Sequence, residues 1–215
     1  MTSVFRKKLT FGEVDLEKTK KKNSGAFREA MAKFSRAVML PIAMLPIGGL
    51  ALGIGTTINS QSTSEIGQAI GSIIMMPGQI MFAVLPLLFG IAIAITFTND
   101  SGTAALSTFL GYCIFSIFQS ALIINPAGTD PNYHFLFYDF TPEKFSAIFT
   151  NVIGIETLSS SIFGGVIVGV IVAFLYNRYK TIQLPKALGF FSGVRFIPIV
   201  TFATMCVVGM FFAMV

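Results

Sequence analysis

The sequence predicts an all-α integral membrane protein with about five transmembrane helices. Three observations carry that prediction. Only 12% of the 215 residues are charged and 53% are hydrophobic, whereas a soluble domain is usually about 25% charged. The apolar residues fall in long runs, most of them close to the ~20 residues that a helix needs to cross a bilayer. The basic residues are unevenly placed: residues 1–36 hold ten of the fifteen Lys and Arg and four of the ten acids, and the rest is nearly neutral.

The first 33 residues form a basic arm, with Lys20, Lys21 and Lys22 followed by an Asn23-Ser24-Gly25 break. It has no signal-peptide pattern. The arm is expected to be partly disordered and to end in an amphipathic lead-in helix over Gly25 to Arg36, with Phe27, Met31 and Phe34 on one face. Basic residues of this kind can also hold anionic lipid. Span one is Ala37 to about Ile58. Pro41 and Pro46 should kink it. Gly49 and Gly53 make a G-x-x-x-G pair that permits close helix contact. Thr57 to Ser64 reads as a polar loop. The apolar run from Ala69 to Phe97 exceeds one span, and Pro77-Gly78 is the expected interruption, leaving span two at Gln79 to Phe97.

Thr98 to Gly102, T-N-D-S-G, is a tight polar turn, and span three follows from Thr103 to Ile124. Its Ser107, Ser116, Gln119 and Ser120 suggest a face turned toward protein. Asn125 to Glu156 is a long acidic connection containing His134, the sole histidine, which reads as a solvated loop residue without partners at metal-ligand spacing. Span four is Leu158 to Tyr176, with Gly165 and Gly169 as a second G-x-x-x-G pair, and span five is Phe196 to Val215. Between them, residues 177–195 carry four cations and no acid. Pro185, Gly189, Gly193 and the rings of Phe190, Phe191 and the adjoining Phe196 make this stretch too apolar for a linker, and its cations make it too charged for a span, so it reads as an interfacial or re-entrant segment. Cys113 and Cys206 lie in apolar runs and read as small buried hydrophobes. The Lys/Arg asymmetry places the arm, the short turn and the basic segment in the cytoplasm, and the long connection (125–156) outside.

Four stretches, in order, resemble the membrane IIC component of phosphotransferase-system sugar transporters, in the glucose, N-acetylglucosamine and maltose family. They are AVMLPIAMLPIGGLALGIG from Ala37, LPLLFGIAIAITFTNDSGTAAL from Leu85, SSSIFGGVIVG from Ser159 and FLYNRYKTIQLPKALGFFSGVRFIPIV from Phe174. The family turn usually reads F-T-N-N-D-G; here Asp100 and Ser101 replace its second Asn and its Asp. Val194 stands where the family usually has Lys.

The resemblance implies the scaffold half of a ten-span, homodimeric permease in the bacterial cell membrane. It also implies sugar import coupled to phosphorylation by IIB and IIA partners, with no cofactor, no metal and no nucleic acid. This chain alone carries no phosphoryl-transfer residue, so its enzymatic status stays open. Candidate substrate or gating residues are Asn99, Asp100 and Gly102 on the turn, with Arg178, Lys186, Gly189, Gly193 and Arg195 on the basic segment. Gly49, Gly53, Gly165 and Gly169 are candidates for helix packing. Positive-inside anchoring is the plainer account of Arg178 and Lys186. The alternatives to a coupled permease are an uncoupled small-solute carrier and a purely structural membrane subunit. The chain has no Trp and stops where the family usually has a Trp-Pro step. The expectation is therefore a truncated reading of a longer gene in which UGA encodes Trp.

Overall fold

The computed structural model describes residues 2–99, 102–121, 123–124, 133–135, 138–140, 149–158 and 161–214. The helices are α1 (Thr2–Gln61), α2 (Glu65–Ala83), α3 (Leu85–Phe97), α4 (Gly102–Ser120), α5 (Ser161–Tyr179) and α6 (Ile197–Met214). Five segments among the described residues are long and apolar enough to cross a membrane: Phe27–Gln61, Glu65–Ala83, Gly102–Ser120, Ile162–Tyr179 and Gly193–Phe212. With α3 as a shorter apolar helix, the chain is an all-α multi-pass membrane protein. Among the described residues, short strands occur in and at the edges of the long connection: β1 (Ile123–Ile124), at the end of the expected third span, β2 (Tyr133–Phe135), β3 (Tyr138–Phe140), β4 (Phe149–Val152) and β5 (Ile155–Leu158). They pair antiparallel as β1-β2-β3 and β4-β5, with His134 opposite Asp139.

The chain divides into two compact units, Met1–Arg36 and Ala37–Val215. In the first, helix begins at Thr2, so the Asn23-Ser24-Gly25 break expected from sequence does not interrupt it. The Lys and Glu residues of this stretch are good helix formers. Glu29 and Lys33 pair at 3.0 Å one turn apart, a contact worth a few tenths of a kcal/mol at an exposed site.

In the second unit, the end of α1 and α2 form an antiparallel hairpin whose backbones nearly touch. A methyl group added at Gly55 would lie 2.5 Å from the Met75 nitrogen, and one at Gly78 would lie 2.6 Å from the Gly48 carbonyl oxygen. Asn59 adds a side-chain bond, donating to Ser72 Oγ at 2.8 Å. Small residues drive this approach because lipid provides no hydrophobic force between helices. Gly48 and Gly55 make these contacts, whereas the G-x-x-x-G pair singled out in the sequence, Gly49 and Gly53, faces open space. Those two residues instead line a shallow apolar groove of about 460 Å³ with Leu50, Ile54, Thr57 and Ile58.

The break in the second apolar run also differs from expectation. Pro77 lies inside α2, and the helix ends at Val84. Pro86 occupies the first turn of α3, where its missing N–H costs nothing, while it has no donor to offer the preceding turn. Pro77 stays within the helix, and Gly78 beside it packs directly on α1. The loop between α1 and α2 is shorter than expected, since α1 continues to Gln61. Helix α5 begins at Ser161 rather than Leu158 because residues 155–158 pair as a strand.

Helices α3 to α6 form the core. Its buried cluster comprises Leu87, Tyr112, Ile114, Phe115, Val168, Val172 and Met205, joined by Val152 from the β4–β5 hairpin. Helices α3 and α5 run parallel in backbone contact: a methyl group at Gly165 would collide with the Pro86 carbonyl, and one at Gly169 with that of Gly90. Helices α4 and α6 are also parallel, with Gly111 against Thr201 and Met205, and Gly209 against Phe115.

Candidate functional site

The parallel packing of α3 and α5 brings their C-terminal ends to the same side of the core. A helix C-terminus carries unpaired carbonyls and the negative end of the helix dipole. Two such ends together favour donors and cations, and residues 177–180 supply both. Asn177 donates its side-chain amide to the carbonyl oxygen of Phe97, the last residue of α3, at 3.0 Å. Arg178 occupies the last turn of α5.

The turn after α3 is tightened by its own side chains. Thr98 is buried and donates its hydroxyl to the Ala94 carbonyl at 2.7 Å. Its N–H bonds to Ile95 at 3.2 Å, a 3₁₀-type closure. Asn99 then adopts φ 57°, the left-handed conformation that asparagine tolerates at a helix end. Asp100 lies outside the described residues. Gly102 opens α4, and a side chain there would meet nothing within 4 Å.

The basic segment is a closed loop rather than a span. The Gly193 N–H bonds to the Ile182 carbonyl at 2.9 Å and forms its neck. Gly193 has φ +69°, a conformation that a side chain would strain. The Leu184 N–H donates to Ser192 Oγ at 3.1 Å. Two 3₁₀ turns, Lys186–Phe191 and Gly193–Phe196, build the loop. The Lys186 side chain lies outside the described residues, and a side chain at Gly189 would meet nothing within 4 Å.

The guanidinium of Arg195 lies 4.9 Å from the Phe190 ring centroid, and its NH1 donates to the Phe190 carbonyl at 3.4 Å. Lys180 Nζ lies 5.9 Å from the Tyr176 ring centroid. Tyr179 meets Phe196 edge-on at 6.3 Å.

The last turn of α5 is therefore the hub. Asn177 reaches the end of α3, Tyr179 reaches the second 3₁₀ turn, and the Lys180 carbonyl lies 3.5 Å from where a Gly193 side chain would begin. Asn99 and Arg178 are drawn to one end of the core, and Gly193 and Arg195 to the loop beside it. Gly165 and Gly169 are placed along the α3–α5 contact. Among the described residues, no group of three or more His, Cys, Asp or Glu could hold a metal ion.

Sequence reading missed Asn177, whose signal was an amide beside Arg178 at the end of an apolar run. It also missed the contact at the opposite end of α4. There Thr157 on β5 donates to Gln119 Oε1, joining residues 38 apart and tying the hairpin to the helix. Gln119 is fully buried.

The family model for the phosphotransferase system EIIC domain matches residues 35–215. The chain belongs to the phosphotransferase system EIIC family. The glucose-specific EIICBA component of Mycoplasma genitalium is 44% identical over 186 residues, covering 85% of this chain and 20% of that protein. The glucose-specific EIICBA component of Mycoplasma pneumoniae is 38% identical over 206 residues, covering 92% of this chain and 22% of that protein. The EIIC chain thus spans about a fifth of these curated relatives' length.

Proposed function

We propose that this EIIC chain acts as the scaffold part of a bacterial permease that imports a glucose-type sugar by the phosphoenolpyruvate-dependent phosphotransferase system. The observation that carries the reading is the EIIC match over residues 35–215. Two relatives described as glucose-specific EIICBA components support the sugar class and the dependence on IIB and IIA parts. The chain's own contribution is positional. The hub at Asn177 fixes the α3–α4 turn relative to the basic loop, so both are held as one piece at the cytoplasmic face while the sugar passes inward. Phosphoryl transfer itself belongs to the IIB part.

Homodimerisation belongs to the same proposal, and the uncovered Gly49–Gly53 groove on α1 is the surface that suits it. A cysteine at Gly49 should cross-link two copies in membranes.

Sugar uptake into vesicles bearing the whole permease should require phosphoenolpyruvate and deliver sugar phosphate. Arg195→Ala in the same permease should lower both. Uptake of free sugar without phosphoenolpyruvate would replace this reading with an uncoupled carrier.

A further inference from the structure

The loop at residues 182–196 carries a surface that sugar transport does not explain. Phe190 is 70% exposed, and Phe191 and Val194 are each 41% exposed. The two phenylalanines meet edge-to-face at 5.3 Å, so they stand as one rigid apolar wedge. The hydrogen bond between Gly193 and Ile182 fixes the base of that wedge. The cations are placed around it. Arg195 lies over the Phe190 ring, leaving most of its five N–H donors free for an anion. Lys180 is exposed beside the neck, and Arg178 is exposed two residues before it. No acidic residue occurs between Asn177 and Val215. The loop connects two membrane-length helices, which puts it at headgroup depth.

We propose that this loop is an anionic-phospholipid anchor, with Phe190 and Phe191 in the acyl boundary and a lipid phosphate held by Arg195 and Lys180. Charge complementarity favours a lipid over a protein partner, because aromatic rings and cations on a segment without acidic residues match an apolar phase bordered by phosphates. A guanidinium stacked on a ring that enters the membrane also reaches the phosphate layer without leaving its own partner. The proposal does not depend on sugar transport.

The chain contains no Trp, so Phe190→Trp creates a single fluorescent reporter in the full chain. The variant is reconstituted in phosphatidylcholine vesicles containing phosphatidylglycerol, with bromine on the acyl chains of one lipid or the other. At equal mole fraction, brominated phosphatidylglycerol should quench the reporter more than brominated phosphatidylcholine does. Adding Arg195→Gln or Lys180→Gln should reduce that preference about fivefold for each cation lost, as expected for a basic residue at a charged surface. Quenching by brominated phosphatidylcholine should persist in these variants, which separates lost selectivity from a misfolded loop. Equal quenching by both lipids in the parent would overturn the anionic selectivity. An unquenched reporter would overturn the anchor altogether and make the loop a protein-facing surface.

Discussion

Ile153 adopts φ 54° at the tip of the β4–β5 hairpin, followed by Gly154 at φ 82°. Two successive positive φ angles suit the twist of a tight hairpin, but they suit asparagine and glycine far better than a β-branched residue. Asn151 compensates in part, its side-chain oxygen accepting from the Gly154 N–H at 2.9 Å. Ile153→Asn should therefore raise the melting temperature in detergent, by the equivalent of about 1 kcal/mol. Asn177 gives an ordered series. Asn177→Ala leaves the Phe97 carbonyl without its donor and should cost about 1 kcal/mol. Asn177→Asp should cost more, because it sets a carboxylate oxygen against a carbonyl oxygen. Thermal unfolding of the three proteins, ranked Asn above Ala above Asp, checks the contact. Neither residue was legible in the sequence. An Ile153-Gly154 hairpin turn carries no signal stronger than its one glycine, and the partner of an amide at a helix end is set by tertiary packing.

At the scale of elements, hydropathy made the apolar runs legible, but it could not show where a run breaks. Pro77-Gly78 and Pro86 offer similar signals in sequence; the difference is that Gly78 is pressed onto α1 while Pro86 opens a new helix. Pro86→Ala should let α2 and α3 merge, and spin labels at exposed sites on the two helices should then move apart. The same limit applies to the glycines. Both G-x-x-x-G pairs look alike in sequence, yet Gly165 and Gly169 lie against α3 while Gly49 and Gly53 do not face α2. The phase of a helix about its axis decides this, and low amphipathicity in an apolar segment hides that phase. Gly165→Ala forces a methyl group into the Pro86 carbonyl. It should destabilise the bundle by about 1–3 kcal/mol, as overpacking does, whereas Gly49→Ala in the isolated chain should be near neutral.

At the scale of the whole molecule, charge and span length together set the arrangement across the bilayer. The basic loop and the α3–α4 turn lie at one end of the core, and the β4–β5 hairpin lies at the other, bound to α4 through Gln119 and Thr157. Single cysteines in a version lacking Cys113 and Cys206 test that order. A cysteine at Gly189 should react with an impermeant maleimide only from the cytoplasmic side, and one at Gly154 only from outside. Labelling of both from one side would refute the arrangement.

The backbone contact between α3 and α5 also bears on how the protein is made. Helix α3 has 13 residues, about 20 Å of helix, short of the ~30 Å hydrocarbon thickness. Its partner α5 emerges from the ribosome about 60 residues later, a delay of several seconds at ordinary rates of synthesis. During that interval α3 has no Gly165 or Gly169 to pack against. Biogenesis must then hold a short helix in a provisional state, sheltered by α4 or by the insertion machinery, until α5 arrives to lock it.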